Sequence, residues 1–243
     1  MRWGAALALL AGLVSASAAP GPVPLILRDD ARGRDVPVWL DQASACTAAS
    51  PCPVVLLSPG WGIPATAYRF LVEALVQAGY AVVAVQDQMP TDAPMPNTGD
   101  LRRDRTPFWQ RGATTLRFVH AALLSRRPGL DAQRVVLLGH SHGGDVSATL
   151  AAERPAWVTG LVTLDHRRVP LPAAGEGLRV LSLRGSDFPA DPGVLPTAPV
   201  TGSCVLPLAA ARHDDMHDGG PADLRARLQR ATVEFLLKGR CEP

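Results

Sequence analysis

The sequence predicts an α/β protein with a mostly parallel sheet, helices on both faces of that sheet, and an antiparallel hairpin at the N-terminal side. Short, continuous apolar segments typical of strands buried on both faces alternate with longer segments of helical spacing. The 243 residues, 47% of them hydrophobic, are enough for one substantial core. The length does not require a second domain.

The hairpin is predicted first, because residues 23–27 and 35–40 flank a turn-forming run of Asp, Arg and Gly. A buried strand over 53–57 follows. We expect a helix over 66–78, with Thr66 as its N-cap and Gly79 at its end, and then a strand over 81–85.

A second helix is expected to begin at Thr106-Pro107, since apolar residues recur at helical spacing from Trp109 to Leu123. The remaining predicted elements are a strand from Val135, strands over 160–164, 179–183 and 205–208, and a final helix over 221–238 capped by Gly239. The proline-rich stretches 87–104 and 186–202 are expected to be loops that rim an open site, without a large cap domain.

The N-terminus has the three zones of a secretory signal peptide: Arg2, an apolar run over 3–14, and small residues before Pro20. Cleavage after about Ala18 leaves one domain over 19–243. A buried N-terminal helix is disfavoured because the segment has no polar face. We therefore expect an exported protein, periplasmic or extracellular, without a membrane anchor.

Charge and cysteine content narrow the class of protein further. The formal net charge is +2, without a polybasic run, which gives no reason to expect nucleic acid as a partner. Four cysteines in an exported chain are expected to form disulfides. We predict Cys46 with Cys52 across one short loop. The other predicted pair is Cys204 with Cys241, because the final helix returns antiparallel to the strand before it.

Residues 135–144, Val-Val-Leu-Leu-Gly-His-Ser-His-Gly-Gly, predict a nucleophile elbow: a strand, a tight turn carrying Ser141, and a helix from about Asp145 that Pro155 ends. Glycines at 139 and 143 fit a turn where a Cβ would collide with neighbouring backbone. A serine held in this way is a candidate nucleophile if a base can take its proton.

The base is expected after the last strand, where His213 and His217 compete, and His213 is favoured because it follows the strand end more closely. An alternative is a metal site formed by His213, His217 and the neighbouring aspartates. It is disfavoured because that segment is rich in Asp and Gly, which is typical of a loop and not of a helix.

Two carboxylates can orient the base, Asp165 after one strand and Asp187 after the next, and the residues themselves leave both open. The oxyanion needs two backbone N–H groups. We expect these donors to be His142, directly after the nucleophile, and Trp61 in the glycine-containing run 58–62.

Taken together, the segments 58–62, 139–144, 164–165 and 213–218 resemble the α/β-hydrolase superfamily, and in particular bacterial relatives of platelet-activating-factor acetylhydrolases. The hairpin motif from Asp29 to Val38 matches that branch. The resemblance implies an α/β-hydrolase fold with Asp165 as the acid, because that branch has its acid in a Leu-Asp context with a proline soon after. The sequence departs from the branch at His142, where an aromatic residue is more usual, and at Arg167 and Arg168, which replace bulky apolar residues.

The function that the sequence predicts is an exported serine hydrolase acting on small-molecule carboxylic esters through an acyl-enzyme, with Ser141, His213 and Asp165 as its triad and no cofactor. Two alternatives come from other classes. One is a non-catalytic binding protein on the same fold, and the other is a metal-dependent hydrolase using the cluster around His213 and His217.

Overall fold

The computed structural model of the chain describes residues 21–241 except 176 and 199. An eight-stranded sheet forms its centre, in the order β1-β2-β4-β3-β5-β6-β7-β8. The strands are β1 (Val23–Asp29), β2 (Arg34–Asp41), β3 (Cys52–Ser58), β4 (Ala81–Val85), β5 (Leu130–His140), β6 (Val158–Leu164), β7 (Arg179–Arg184) and β8 (Ser203–Pro207). The helices are α1 (Arg69–Gln77), α2 (Leu101–Ala122), α3 (His142–Ala152) and α4 (Ala222–Lys238).

The hairpin and the parallel sheet confirm the predicted fold class. β1 and β2 pair antiparallel, β2 joins β4 antiparallel, and every other neighbouring pair from β3 to β8 is parallel. Because successive side chains of a strand point to opposite faces, β3 contributes to both cores. Val55 and Leu57 pack with α1 and α4, whereas Val54 and Leu56 pack with α2 and α3.

Three predicted helix starts were wrong. α3 begins at His142 rather than at about Asp145, so that it follows Ser141 directly. α1 begins at Arg69 rather than after Thr66, because the carboxylate of Asp218 accepts hydrogen bonds from the N–H groups of Arg69 and Phe70 at 2.9 and 3.0 Å. α2 begins at Leu101, where the Asp100 side chain accepts from Arg103 N–H. The Thr106-Pro107 pair therefore lies inside α2 rather than at its start.

The disulfide pairing agrees with the prediction: Cys46 is bonded to Cys52 and Cys204 to Cys241. The second bond ties β8 to the chain that leaves α4. Two disulfides favour a protein that folds in an oxidising compartment. The predicted signal peptide, residues 1–18, lies outside the described residues. Among the helices of the described part, none is long and apolar enough to cross a membrane.

Candidate active site

Ser141 lies on the tight turn between β5 and α3. It has φ 51° and ψ −116°, a left-handed conformation that is costly for a residue with a Cβ. Its N–H donates to the carbonyl of Leu164 at 2.8 Å, which holds the turn against the end of β6. A Cβ at Gly139 would lie 2.1 Å from the carbonyl oxygen of Gly143, and a Cβ at Gly143 would lie 2.2 Å from that of Ser58. The packing around the turn thus requires glycine at both positions.

A chain of hydrogen bonds connects Ser141, His213 and Asp165. His213 lies in a short 3-10 helix after β8, His213–Asp215. The Nε2 atom of His213 is 2.8 Å from the Ser141 hydroxyl oxygen, and its Nδ1 atom is 2.6 Å from Oδ2 of Asp165. With the proton on Nδ1, this imidazole donates to the carboxylate and its Nε2 accepts from the serine hydroxyl. The structure therefore brings together the three residues that the sequence singled out.

Asp165 is fully buried, and its surroundings favour the ionised form. Burial by itself raises the pKa of a carboxyl. The hydrogen bond with His213, the Arg184 guanidinium 2.9 Å from Oδ1, and the Gly185 N–H at the same distance outweigh burial and lower the pKa of Asp165 to about 2. Arg167 also lies 3.3 Å from Oδ2. A permanent negative charge thus faces Nδ1 of His213.

The second candidate acid, Asp187, has a different partner. Its two carboxylate oxygens accept from the backbone N–H of His213 at 3.0 and 3.1 Å. Asp187 therefore holds the main chain of His213, while Asp165 contacts the imidazole. The structure separates two roles that sequence position alone left open.

Two further residues of the alternative metal cluster, His217 and Asp218, have partners of their own. His217 Nδ1 accepts from Gly219 N–H at 3.0 Å, and Asp218 caps α1. Within the described part of the chain, no three His, Cys, Asp or Glu side chains form a group that could hold a metal ion.

Trp61 lies in the loop after β3, beside the elbow. The N–H groups on either side of it are already bonded, since Gly60 donates to Tyr68 Oη at 2.9 Å and Gly62 donates to Gln88 Oε1 at 3.2 Å. The indole is 41% exposed and meets the His142 ring edge-on, with ring centroids 5.2 Å apart. The loop is thus fixed on both sides of the Trp61 backbone N–H, next to the nucleophile turn.

A buried network that sequence reasoning missed connects this loop to the histidine loop. The Tyr68 hydroxyl lies 2.9 Å from His140 Nδ1, and His140 Nε2 lies 3.0 Å from the carbonyl oxygen of His213. Burial, followed by the charge of His213, lowers the pKa of His140 to about 3. The neutral ring donates from Nε2 to His213 and accepts at Nδ1 from Tyr68, whose oxygen in turn accepts from Gly60 N–H. A histidine directly before the elbow serine was the one available signal.

His142, the first residue of α3, is 4% exposed. Burial, together with the charges of Arg105 and Arg111, lowers the pKa of this residue to about 3. Its Nδ1 is buried without a hydrogen-bond partner among the described residues. The His142 ring is therefore neutral and acts as a packing surface for Trp61.

A cavity of about 700 Å³ is lined in part by Trp61. Its walls come from the Trp61 loop and from the loop after β4, and they include Ile63, Gln88, Met89 and Pro94. Ser141 and His213 do not line it. Trp61 thus contacts both the His142 ring and this cavity, which has room for a small organic group.

Comparison with solved structures identifies the fold. A ferulic acid esterase from Streptomyces cinnamoneus aligns with a TM-score of 0.63 and 22% identity, over 95% of this chain and 94% of the other. Esterase 2 from Thermogutta terrifontis, phosphorylated by paraoxon, aligns with a TM-score of 0.63 and 12% identity, over 96% and 100% of the two chains. A dienelactone hydrolase-like promiscuous phosphotriesterase from metagenomic libraries aligns with 0.61 and 17%, over 89% and 98%.

No protein-family model and no curated protein matches the sequence. At identities this low, the structural likeness establishes the architecture alone. The order and direction of the strands, the elbow after β5 and these neighbours agree: the chain has the α/β-hydrolase fold.

Proposed function

We propose that the protein is an exported serine hydrolase that cleaves carboxylic esters through an acyl-enzyme, with Ser141 as nucleophile, His213 as base and Asp165 as the acid of the triad. The observation that carries the proposal is the hydrogen-bonded chain from the Ser141 hydroxyl to the buried Asp165 carboxylate. The strained turn at Ser141 supports the same assignment.

In the proposed reaction, His213 Nε2 takes the hydroxyl proton as the Ser141 oxygen attacks the ester carbonyl carbon. The negative charge that forms on the carbonyl oxygen is stabilised by the backbone N–H groups of His142 and Trp61. Collapse of this intermediate breaks the bond to the alcohol, which leaves with the proton from His213. Water, activated by the same imidazole, then releases the acid from Ser141.

The substrate is expected to be a small-molecule ester with one part in the cavity beside Trp61. The apolar and aromatic walls of that cavity favour an alkyl or aromatic group. Because one structural neighbour is a ferulic acid esterase, esters of aromatic acids belong in the first substrate panel. The relation to platelet-activating-factor acetylhydrolases remains a prediction from sequence motifs, and no cofactor is part of the proposal.

The proposal is tested by labelling with a fluorophosphonate and by assaying 4-nitrophenyl acetate, 4-nitrophenyl butyrate and methyl ferulate. We expect labelling at Ser141, and we expect Ser141→Ala to lose several orders of magnitude in kcat. Ser125→Ala is the matched control, because Ser125 is exposed and far from the elbow in the chain.

The outcomes separate the alternatives. A folded protein that is neither labelled nor active on any ester supports a binding protein on this fold. Activity that survives Ser141→Ala and is removed by a chelator supports the metal-dependent alternative. For export, we expect the mature protein to begin near Ala19, which N-terminal sequencing of the secreted chain checks.

A further inference from the structure

Two arginines beside the proposed active site lack the partners that their neighbours have. Arg167 and Arg184 both form ion pairs with Asp165. Arg105, on the second turn of α2, and Arg168, after β6, are half-buried, and the Nε atom of each is buried without a hydrogen-bond partner among the described residues. Neither forms an ion pair within that part of the chain. A guanidinium nitrogen that is buried without a hydrogen-bond partner costs free energy.

Both arginines lie around the first turn of α3, next to Ser141. α2 packs closely on α3, since a Cβ at Gly112 would lie 2.6 Å from Val146 Cγ2. Arg105 lies on the same face of α2, two turns nearer its N-terminus, where its charge acts on His142. The backbone N–H of Arg168 donates to Asp145 Oδ1 at 2.9 Å, which holds Arg168 at the same helix end.

Positively and negatively charged side chains are present in unequal numbers around the first turn of α3. Burial, followed by the positive charge of Arg168, lowers the pKa of Arg105. The carboxyl groups of Asp145 and Asp191 act on Arg105 in the opposite sense. Oδ1 of Asp145 accepts from the N–H groups of both Arg168 and Val169, and burial raises the pKa of Asp145 to about 6. The N-terminus of α3 adds its own partial positive charge. Arg105, Arg167, Arg168 and Arg184 therefore outnumber the three carboxylates of Asp145, Asp165 and Asp191 in this part of the structure.

We infer that Arg105 and Arg168 bind a carboxylate carried by the substrate, so that the preferred substrates are anionic esters. Two guanidinium groups with free donors suit a planar carboxylate, which can accept paired hydrogen bonds from each. The inference rests on the proposed ester hydrolase function and adds the class of substrate to it.

The test compares esters that match in shape and differ in charge. Mono-4-nitrophenyl glutarate is paired with 4-nitrophenyl pentanoate, which places the charge on the acyl side. The second pair, 4-acetoxybenzoate with 4-acetoxybenzamide, places it on the alcohol side. For the wild-type protein we expect kcat/KM to favour the anionic member of at least one pair by about ten-fold or more, since a hydrogen bond to a charged group contributes on that scale.

The variants Arg105→Gln and Arg168→Gln should each lower the ratio of anionic to neutral kcat/KM by about ten-fold. Arg102→Gln is the matched control on the same helix, because Arg102 is exposed to solvent, and its ratio should equal that of the wild type. A second measurement needs no variant. Raising NaCl should reduce kcat/KM for the anionic ester more than for its neutral partner, because salt screens the attraction.

The outcomes distinguish failure of the carboxylate-binding inference from failure of the proposed function. If the wild-type protein hydrolyses the neutral members at least as well as the anionic ones in both pairs, the inference is wrong while the proposed function stands. Equal losses on both members in Arg105→Gln and Arg168→Gln, without a difference in salt dependence, also overturn it. If no ester is hydrolysed and Ser141 is not labelled, the proposed function itself has failed.

Discussion

The substitution Asp165→Asn tests the proposed triad most directly, because the structure predicts which way the new amide will face. Oδ1 of Asp165 accepts from Gly185 N–H at 2.9 Å and lies 2.9 Å from the Arg184 guanidinium. Both neighbours are donors, so they will hold the amide oxygen at the Oδ1 position. The amide NH₂ group will then occupy the Oδ2 position, facing His213 Nδ1.

An NH₂ group facing Nδ1 selects the wrong form of the imidazole. Nδ1 must accept instead of donate, so the ring proton moves to Nε2, which can no longer take the proton of Ser141. In a serine protease the corresponding change costs about ten-thousand-fold in kcat, or about 5.5 kcal/mol in activation free energy. We expect a loss of this size in kcat for Asp165→Asn, with the fold retained.

The matched control is Asp187→Asn. Both oxygens of Asp187 accept from the backbone N–H of His213, and the one oxygen that asparagine keeps can still accept that bond. We expect less than about ten-fold loss in kcat on 4-nitrophenyl acetate, with circular dichroism to show that both variants fold. If Asp165→Asn retains most of its activity while Asp187→Asn loses about a thousand-fold, the assignment of the acid is wrong.

Three further predictions concern stability and positioning. Tyr68→Phe leaves Gly60 N–H and His140 Nδ1 without their partner, so we expect a loss of about 1–3 kcal/mol in the free energy of unfolding and a lower kcat. Tyr80→Phe is its control, because Tyr80 makes one long bond of 3.5 Å, and equal losses in the two variants would contradict the network. As pH falls from about 6.5, the free energy of unfolding of His142→Phe should rise relative to that of the wild type, by up to ~1.4 kcal/mol per pH unit. The reason is that the folded wild type binds a proton at His142 only near pH 3, whereas the unfolded chain binds it near the ordinary value, so acidification removes a stability contribution at His142 that the variant does not have. Denaturant unfolding at several pH values measures this difference. A difference that does not change with pH would contradict the prediction. Removing the Cys204–Cys241 bond, which closes 37 residues, should cost about 4 kcal/mol, against about 2 for Cys46–Cys52, which closes 6. Thermal unfolding of the two Cys-to-Ser pairs compares them, and the reverse order would refute the loop-length argument.

The features predicted correctly depend on local sequence signals. Continuous apolar runs and helical spacing, with Gly and Pro at the turns, predicted the hairpin, the parallel strands and α4 with its Gly239 cap. The elbow was also local, because its two glycines lie within two residues of Ser141. A strand before it and a helix after it completed the pattern.

The features predicted wrongly depend on partners distant in sequence. Thr66 has the chemistry of an N-cap, but Asp218, 148 positions beyond Phe70, supplies the carboxylate that satisfies the first N–H groups of α1. The start of α2 is fixed by Asp100 and by Asp104, which binds Thr98 in the loop before the helix. The helical pattern from Trp109 onward gave no sign of the polar turns that precede it.

The choice between Asp165 and Asp187 could not have been made from the residues alone, because both follow adjacent parallel strands and both reach the His213 loop. The two carboxylates differ in the atom of His213 that they contact: Asp165 contacts the imidazole, and Asp187 accepts from the backbone N–H. The family resemblance favoured Asp165, and its role as the acid stays a prediction that Asp165→Asn and Asp187→Asn test.

The Asp-, His- and Gly-rich loop that begins at His213 contacts several other elements of the fold. Asp218 caps α1, and the carbonyl of His213 accepts from the buried His140. A Cβ at Gly220 would lie 1.8 Å from the carbonyl oxygen of Asp215, so the turn there requires glycine. The run of Asp, His and Gly that was considered as a metal site thus has a structural role: its contacts hold the His213 imidazole between Ser141 and Asp165. Because Asp218 caps α1 from this loop, we expect a substitution at Asp218 to disturb the position of His213 as well as the start of α1.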